Sequence, residues 1–284
     1  MLKGRHKRQR RARPRPQTFN RLIPNIITVG ALCAGLTAVR FAIAEQWEFA
    51  MVAVVVAAIL DALDGTIARL LKAASDFGAE LDSLSDVIAF GVAPGLIIYF
   101  WSLSEIGGIG WAAGLFFAVC CALRLARFNS TLETRPRYAN NFFTGVPAPG
   151  GALLALLPLL MSREFGDGFF RHPAVTGPWI VLIALLMVSQ IPTYSLKRLR
   201  VPQRYFLPML VLIGLLGAGL AGAPWHTLLI LSLVYLGSFP FSYRSFKRLK
   251  AEAGAEENDV DESETEAVNE EGDDEPPSTH LREV

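Results

Sequence analysis

The chain has 284 residues, 52% of them hydrophobic, and its apolar runs hold almost no charge. A soluble domain of this length buries its core without such runs, whereas several here approach the ~20 apolar residues that cross a bilayer. The formal net charge of +1 hides an asymmetry, because residues 3–21 are densely basic and residues 252–283 densely acidic.

The basic arm, residues 1–21, can be read as a nucleic-acid contact. In a chain with several spans the better reading is topological, since Lys and Arg stay on the cytoplasmic side. No nucleic-acid partner is expected. Eight apolar segments follow, at approximately 24–43, 48–71, 84–102, 107–127, 147–162, 176–193, 206–222 and 225–242. The first, behind its basic arm and ending near Ala42-Ile43-Ala44, resembles a signal peptide. The string of further spans favours an uncleaved helix.

With the N-terminus in the cytoplasm, Lys72, the Arg124–Arg137 region, the Lys197–Arg204 loop and the Arg244–Lys250 segment share that side. This is the distribution that the positive-inside rule requires. The loop carrying Arg163 and Arg171 is the exception. An even number of spans returns the C-terminus to the cytoplasm. The tail at 246–284, with Pro276-Pro277 and few apolar residues, has the composition of a disordered arm. The expectation is an all-α membrane protein with about eight transmembrane helices at 22–245. Both termini lie in the cytoplasm.

Cys33, Cys120 and Cys121 all fall inside apolar runs. They read as small buried hydrophobes, not as a disulfide framework or a zinc site. No histidine stands where it would serve catalysis.

The chemistry concentrates in DALDGTIARLLKAASDFGAELDSLSD, from Asp61 to Asp86. Asp61 and Asp64 are three apart, and Asp82 and Asp86 four apart, so on helices each pair shares a face. The short connection from Lys72 to Asp76 makes the two helices antiparallel neighbours. A single charged side chain at membrane depth costs about 2.5–3.5 kcal/mol. Four like charges together persist only when cations neutralise them. Oxygen-only ligands suit hard divalent ions, Mg²⁺ or Mn²⁺.

Asp76 reads as a cap for the third helix. Gly65 and Ala68 share the carboxylate face, where small side chains admit a ligand or pack helices. Arg69 reads as a phosphate contact or as a cytoplasmic anchor. Asn25 reads as a ligand contact or a helix cap. At Gly78 a side chain would crowd the site. Arg124 lies deeper in its span than topology needs.

The spacing D-x2-D-G-x2-A-R-x8-G-x3-D-x3-D is met by Asp61, Asp64, Gly65, Ala68, Arg69, Gly78, Asp82 and Asp86. The chain thereby resembles the CDP-alcohol phosphatidyltransferase family. The resemblance implies a six-helix catalytic core, a homodimer, two divalent cations and a CDP-linked lipid donor. Further segments resemble the membrane-integral bacterial phosphatidylserine synthases of that family. These are Leu81–Leu84 with Phe90–Pro94, Arg124–Asn129, Phe143–Pro149 and Val188–Pro202.

The implied reaction takes CDP-diacylglycerol and L-serine to phosphatidylserine and CMP in the inner membrane, with the site facing the cytoplasm. The implied metal ligands are Asp61, Asp64, Asp82 and Asp86, and Asp86 is also the implied general base. Donor binding falls by resemblance to Asn25, Thr28, Gly65, Arg69, Ser75 and Gly78. The serine carboxylate calls for an arginine, and Arg124, Arg127 and Asn129 are the candidates. Other acceptors (glycerol phosphate, inositol phosphate, choline) fit the same chemistry. A transporter with intramembrane carboxylates is the competing class, but the internal repeats that mark many of these are absent from the sequence.

Overall fold

A computed structural model describes residues 22–73, 75–131, 142–189, 192–194 and 206–238. The basic arm, the acidic tail and the whole Lys197–Arg204 loop lie outside the described residues. The described chain is helical apart from one small ribbon. It runs α1 (Leu22–Ile43), α2 (Trp47–Leu70), α3 (Asp76–Asp86), a π turn (Val87–Val92), α4 (Ala93–Trp101) and α5 (Gly108–Thr131). Then come β1 (Phe142–Thr144), α6 (Ala148–Ala155), α7 (Leu157–Phe165), α8 (Asp167–Phe170), α9 (Pro173–Val188), β2 (Pro192–Tyr194) and α10 (Phe206–Gly222). A last apolar helix, α11, covers Pro224–Ser238.

Among the described residues, four helical stretches are long and apolar enough to cross a membrane: Leu22–Ile43, Trp47–Leu70, Asp76–Trp101 and Gly108–Ser130. The third starts at Asp76, well before the apolar run expected at 84–102. Its first turns are amphipathic and carry the carboxylates, so hydropathy alone does not register them. The expected segment 147–162 is two helices, α6 and α7, broken where Pro158 removes an N–H. That break leaves the Leu154 carbonyl without its helical donor. The indole Nε1 of Trp179 donates to it instead, at 2.8 Å.

Helix α1 buries a stripe of Thr28, Ala31, Gly35, Ala38 and Ala42 along α2 and the π turn. Small residues at this spacing let membrane helices approach closely. A Cβ on Gly35 would stand 2.7 Å from Ala89 Cα, so glycine is needed there. The π turn itself has a local cause. Pro94 opens α4 and has no N–H, and the Ala93 N–H reaches back five residues to the Ile88 carbonyl. The π turn stands directly after Asp86.

The ribbon pairs β1 with β2 antiparallel, Phe142 with Tyr194 and Thr144 with Pro192. It is a departure from an entirely helical chain, made where two loops meet beside the bundle. Gly145 follows at φ +76°, with the Met187 carbonyl where its Cβ would be.

The end of the bundle opposite the carboxylates is closed by polar contacts. Arg163 pairs with Glu48 and lies over the Trp225 ring. Arg171 donates to the Trp101 carbonyl at 3.0 Å, and Ser102 donates to the Arg171 carbonyl at 2.5 Å. Both arginines of the exceptional loop are therefore engaged within the protein. His226 meets Glu164 at 3.1 Å, and the His172 ring accepts the Ala174 N–H. Cys120 and Cys121 are buried as expected, but Cys33 is exposed on the outer side of α1.

Candidate active site

The N-terminal turns of α1, the C-terminal half of α2 and the first turns of α3 converge at one end of the bundle. They enclose a cavity of about 160 Å³. Asp64 and Asp82 line it, together with Asn25, Thr28, Gly65, Ala68, Ser75 and Gly78. One carboxylate oxygen from each of Asp61, Asp64 and Asp82 lies within 4.8 Å of the others. Asp86 stands outside that group of three but within electrostatic reach of Asp61, Asp82, Asp64 and Arg124.

The three helices hold this geometry through short polar contacts. Thr28 donates to Asp64 Oδ2 at 2.5 Å, and the same hydroxyl lies 3.1 Å from the Pro24 carbonyl. Ser85 donates to the Thr28 carbonyl at 3.3 Å. Thr28, expected as a donor contact, is thus also the partner of a buried carboxylate. Nothing in the sequence signalled that pairing, because the two residues lie on different helices.

Ser75 accepts the Gly78 N–H at 3.1 Å and caps α3. This corrects the assignment of the cap to Asp76, which sits in the first turn. A carboxylate there complements the positive end of the helix dipole. Asn25 lies inside α1, three positions past its first residue, so it is not a cap. Its Oδ1 faces Gly78, where an added Cβ would stand 3.0 Å away. At Gly65 an added Cβ would meet no atom within 4 Å. Glycine there opens space toward the cavity and packs against no other helix.

Arg69 folds back along its own helix. Its Nε donates to the Gly65 carbonyl at 3.1 Å, and Nη2 lies 3.4 Å from Thr66 Oγ1. It stands at the rim and does not line the cavity. Arg127 donates to the Val188 carbonyl at 2.9 Å, closing the C-terminus of α9. Asn129 donates to Ser83 at 2.9 Å, beside Asp82. Arg124 lies within electrostatic reach of Asp86, Cys121 and Tyr235.

A second cavity, of about 700 Å³, opens between α2, the π turn, α6, α7, α10 and α11. Its wall is apolar and includes Ala58, Leu63, Phe90, Leu153, Leu156 and Leu228, with Tyr235 among them.

Oxygen-only donors gathered this tightly fit hard divalent cations and offer no soft ligand. The family model for CDP-alcohol phosphatidyltransferase matches residues 21–193, and CDP-alcohol phosphatidyltransferase 2 matches residues 204–240. The chain belongs to the CDP-alcohol phosphatidyltransferase family. Within it, the chain is 39% identical over 226 residues to the CDP-diacylglycerol–serine O-phosphatidyltransferase of Mycobacterium tuberculosis, covering 79% of each chain. The Helicobacter pylori enzyme of the same name is 38% identical over 194 residues, 68% of this chain and 81% of that one. The one from Bacillus subtilis is 33% identical over 177 residues, 62% of this chain and 92% of its own. The first family match takes in all four aspartates, both cavity-facing glycines and Arg124, and the second takes in Tyr235.

Proposed function

We propose that the chain transfers the phosphatidyl group from CDP-diacylglycerol to the hydroxyl of L-serine. The observation that carries the chemistry is the meeting of Asp61, Asp64 and Asp82 beside a polar cavity at one end of the bundle. The likeness over most of the chain to relatives named CDP-diacylglycerol–serine O-phosphatidyltransferase carries the acceptor.

In this reading the serine oxygen forms a bond to the β-phosphorus, and the phosphoanhydride bond breaks. CMP leaves with the bridging oxygen. Two divalent cations, Mg²⁺ or Mn²⁺, held by Asp61, Asp64 and Asp82, would supply charge neutralisation for the diphosphate and the leaving CMP. Asp86 accepts the proton of the serine hydroxyl. Its place outside the trio, beside Arg124, suits a base better than a shared ligand. Asn25, Gly65 and Gly78 shape the cavity for the cytidine diphosphate, and Arg69 meets phosphate at the rim. Arg124 takes the serine carboxylate as a bidentate partner.

The finer architecture belongs to the same reading. Eight spans at 22–245 sit in the inner membrane as a homodimer, surrounded by membrane lipids, with both arms and the site on the cytoplasmic side. The common location of the carboxylates, Arg69, Lys72, Arg124 and Arg127 at one end of the helices supports that orientation.

The test is CMP release by purified protein supplied with CDP-diacylglycerol, a divalent cation and one alcohol at a time. Serine is expected to be the acceptor. Turnover with glycerol phosphate, inositol phosphate or choline, and none with serine, would refute that choice.

A further inference from the structure

Asn129 donates from Nδ2 to Ser83 Oγ at 2.9 Å, joining the last turn of α5 to α3 across 46 positions of sequence. The Ser83 hydroxyl proton goes to the Ala79 carbonyl at 3.0 Å. A hydroxyl has one proton to give and two lone pairs. With the proton committed, the Ser83 oxygen is left to accept, and an amide N–H suits it. Two residues earlier on α5, Arg127 donates to the Val188 carbonyl of α9 at 2.9 Å. Ser85 of α3 donates to the Thr28 carbonyl of α1 at 3.3 Å, and Thr28 donates to Asp64 of α2. Hydrogen bonds thus lace α9, α5, α3, α1 and α2 together at the carboxylate end of the bundle.

The place of Ser83 on α3 gives its bond a purpose. Ser83 and Asp86 are three apart, so their Cβ atoms are neighbours at about 5–6 Å on one helix face. Ser85 is two residues from Ser83 and points away from it. Ser85 therefore holds α3 to α1 from one side, and Asn129 holds the face that carries Asp86 from another. A helix tied on one side keeps a roll about its axis, and a second tie removes it. Asp86 is the last residue of α3, so it feels that roll directly. A misplacement of about 1 Å at a reacting group can cost 10²-fold in rate.

We propose that Asn129 is a positioning residue for the base, holding through Ser83 the face of α3 from which Asp86 meets the acceptor hydroxyl. This rests on the reading of Asp86 as the base. Asn129, expected from the sequence to touch serine, acts through α3 instead.

The test is CMP release by full-length Asn129→Ala, Ser83→Ala and the double variant in detergent. Each is expected to show kcat lowered about tenfold, with the double variant no worse than either single one. The KM for CDP-diacylglycerol and the half-saturating cation concentration stay within twofold, because the ties to α1 are intact. Ser83→Thr, which keeps the hydroxyl, restores the rate. Asn129→Leu, similar in size and without the amide, carries the test if Asn129→Ala does not fold. A Ser83→Ala protein with kcat within twofold of the unmodified one overturns the proposal, and so do losses that multiply in the double variant. A parallel shift of donor KM and cation titration also overturns it, as general loosening of the site. If the unmodified protein uses another alcohol and not serine, the acceptor reading falls, and the same comparison with that alcohol still decides the role of Asn129. If Asp86→Asn keeps its full rate, the base and this proposal fall together.

Discussion

The Thr28 hydroxyl donates to Oδ2 of Asp64 at 2.5 Å, across 36 positions of sequence and between two helices. Asp64 is only 4% exposed. A buried carboxylate needs such a partner to hold its orientation, and partners of metal ligands typically contribute 10–100-fold to metal affinity. Thr28→Val keeps the shape of the side chain and removes the hydroxyl. The Mg²⁺ or Mn²⁺ concentration giving half-maximal CMP release should rise about tenfold or more. Thr28→Ser should restore it. A titration of activity against the cation checks both.

Asp61 and Asp86 should fail in different ways. Asp61 belongs to the trio of carboxylates within 4.8 Å, and Asp86 does not. Asp61→Asn should shift the cation titration to higher concentration as well as lower the rate. Asp86→Asn should lower the maximal CMP release by about 10²-fold or more, the usual contribution of a positioned base, and leave the cation titration close to that of the unmodified protein. Chelation with EDTA should abolish turnover, and added Mg²⁺ or Mn²⁺ should restore it. Equal behaviour of the two variants would remove the division of roles between them.

The carboxylate pairs were legible in the sequence because helical periodicity is local: three- and four-residue spacing puts side chains on one face whatever the rest of the chain does. The cost of charge in a membrane then pointed to cations. What was not legible depends on contacts between distant segments. Thr28 meets Asp64, and the Tyr235 ring comes to lie on Gly150, only once α1 packs on α2 and α11 on α6. Neither residue differs in sequence from an ordinary polar side chain in an apolar run. The start of the third span at Asp76 was hidden from hydropathy by the same aspartates that the spacing revealed. Ser75 and Asp76 are both good caps, and only the backbone geometry decides between them.

Gly35 sets how closely α1 approaches the π turn behind Asp86. A Cβ at Gly35 would lie 2.7 Å from Ala89 Cα and 2.9 Å from Ala89 Cβ. The obstacle is backbone, which has no rotamer with which to yield. Overpacking of this kind costs about 1–3 kcal/mol. Gly35→Ala should therefore lower the thermal midpoint of the detergent-solubilised protein, read by a melting assay. Because the turn follows Asp86 directly, turnover should fall as well.

Gly65 and Gly78 both face the cavity, but substitution should act on them by different routes. At Gly78 a Cβ would stand 3.0 Å from Asn25 Oδ1 and 3.1 Å from Ser75 Oγ. Gly78→Ala thus displaces two polar groups of the donor site and strains the cap of α3, so melting temperature and donor affinity should fall together. At Gly65 a Cβ would meet no atom within 4 Å. Alanine also has the higher helix propensity, by about 1 kcal/mol. Gly65→Ala should leave the fold intact or slightly stabilise it, yet raise the KM for CDP-diacylglycerol, because the methyl fills space that the diphosphate occupies. Melting curves with donor KM values for both variants separate the two routes. A Gly65→Ala protein with unmoved donor KM would show that the donor does not approach α2 at that point.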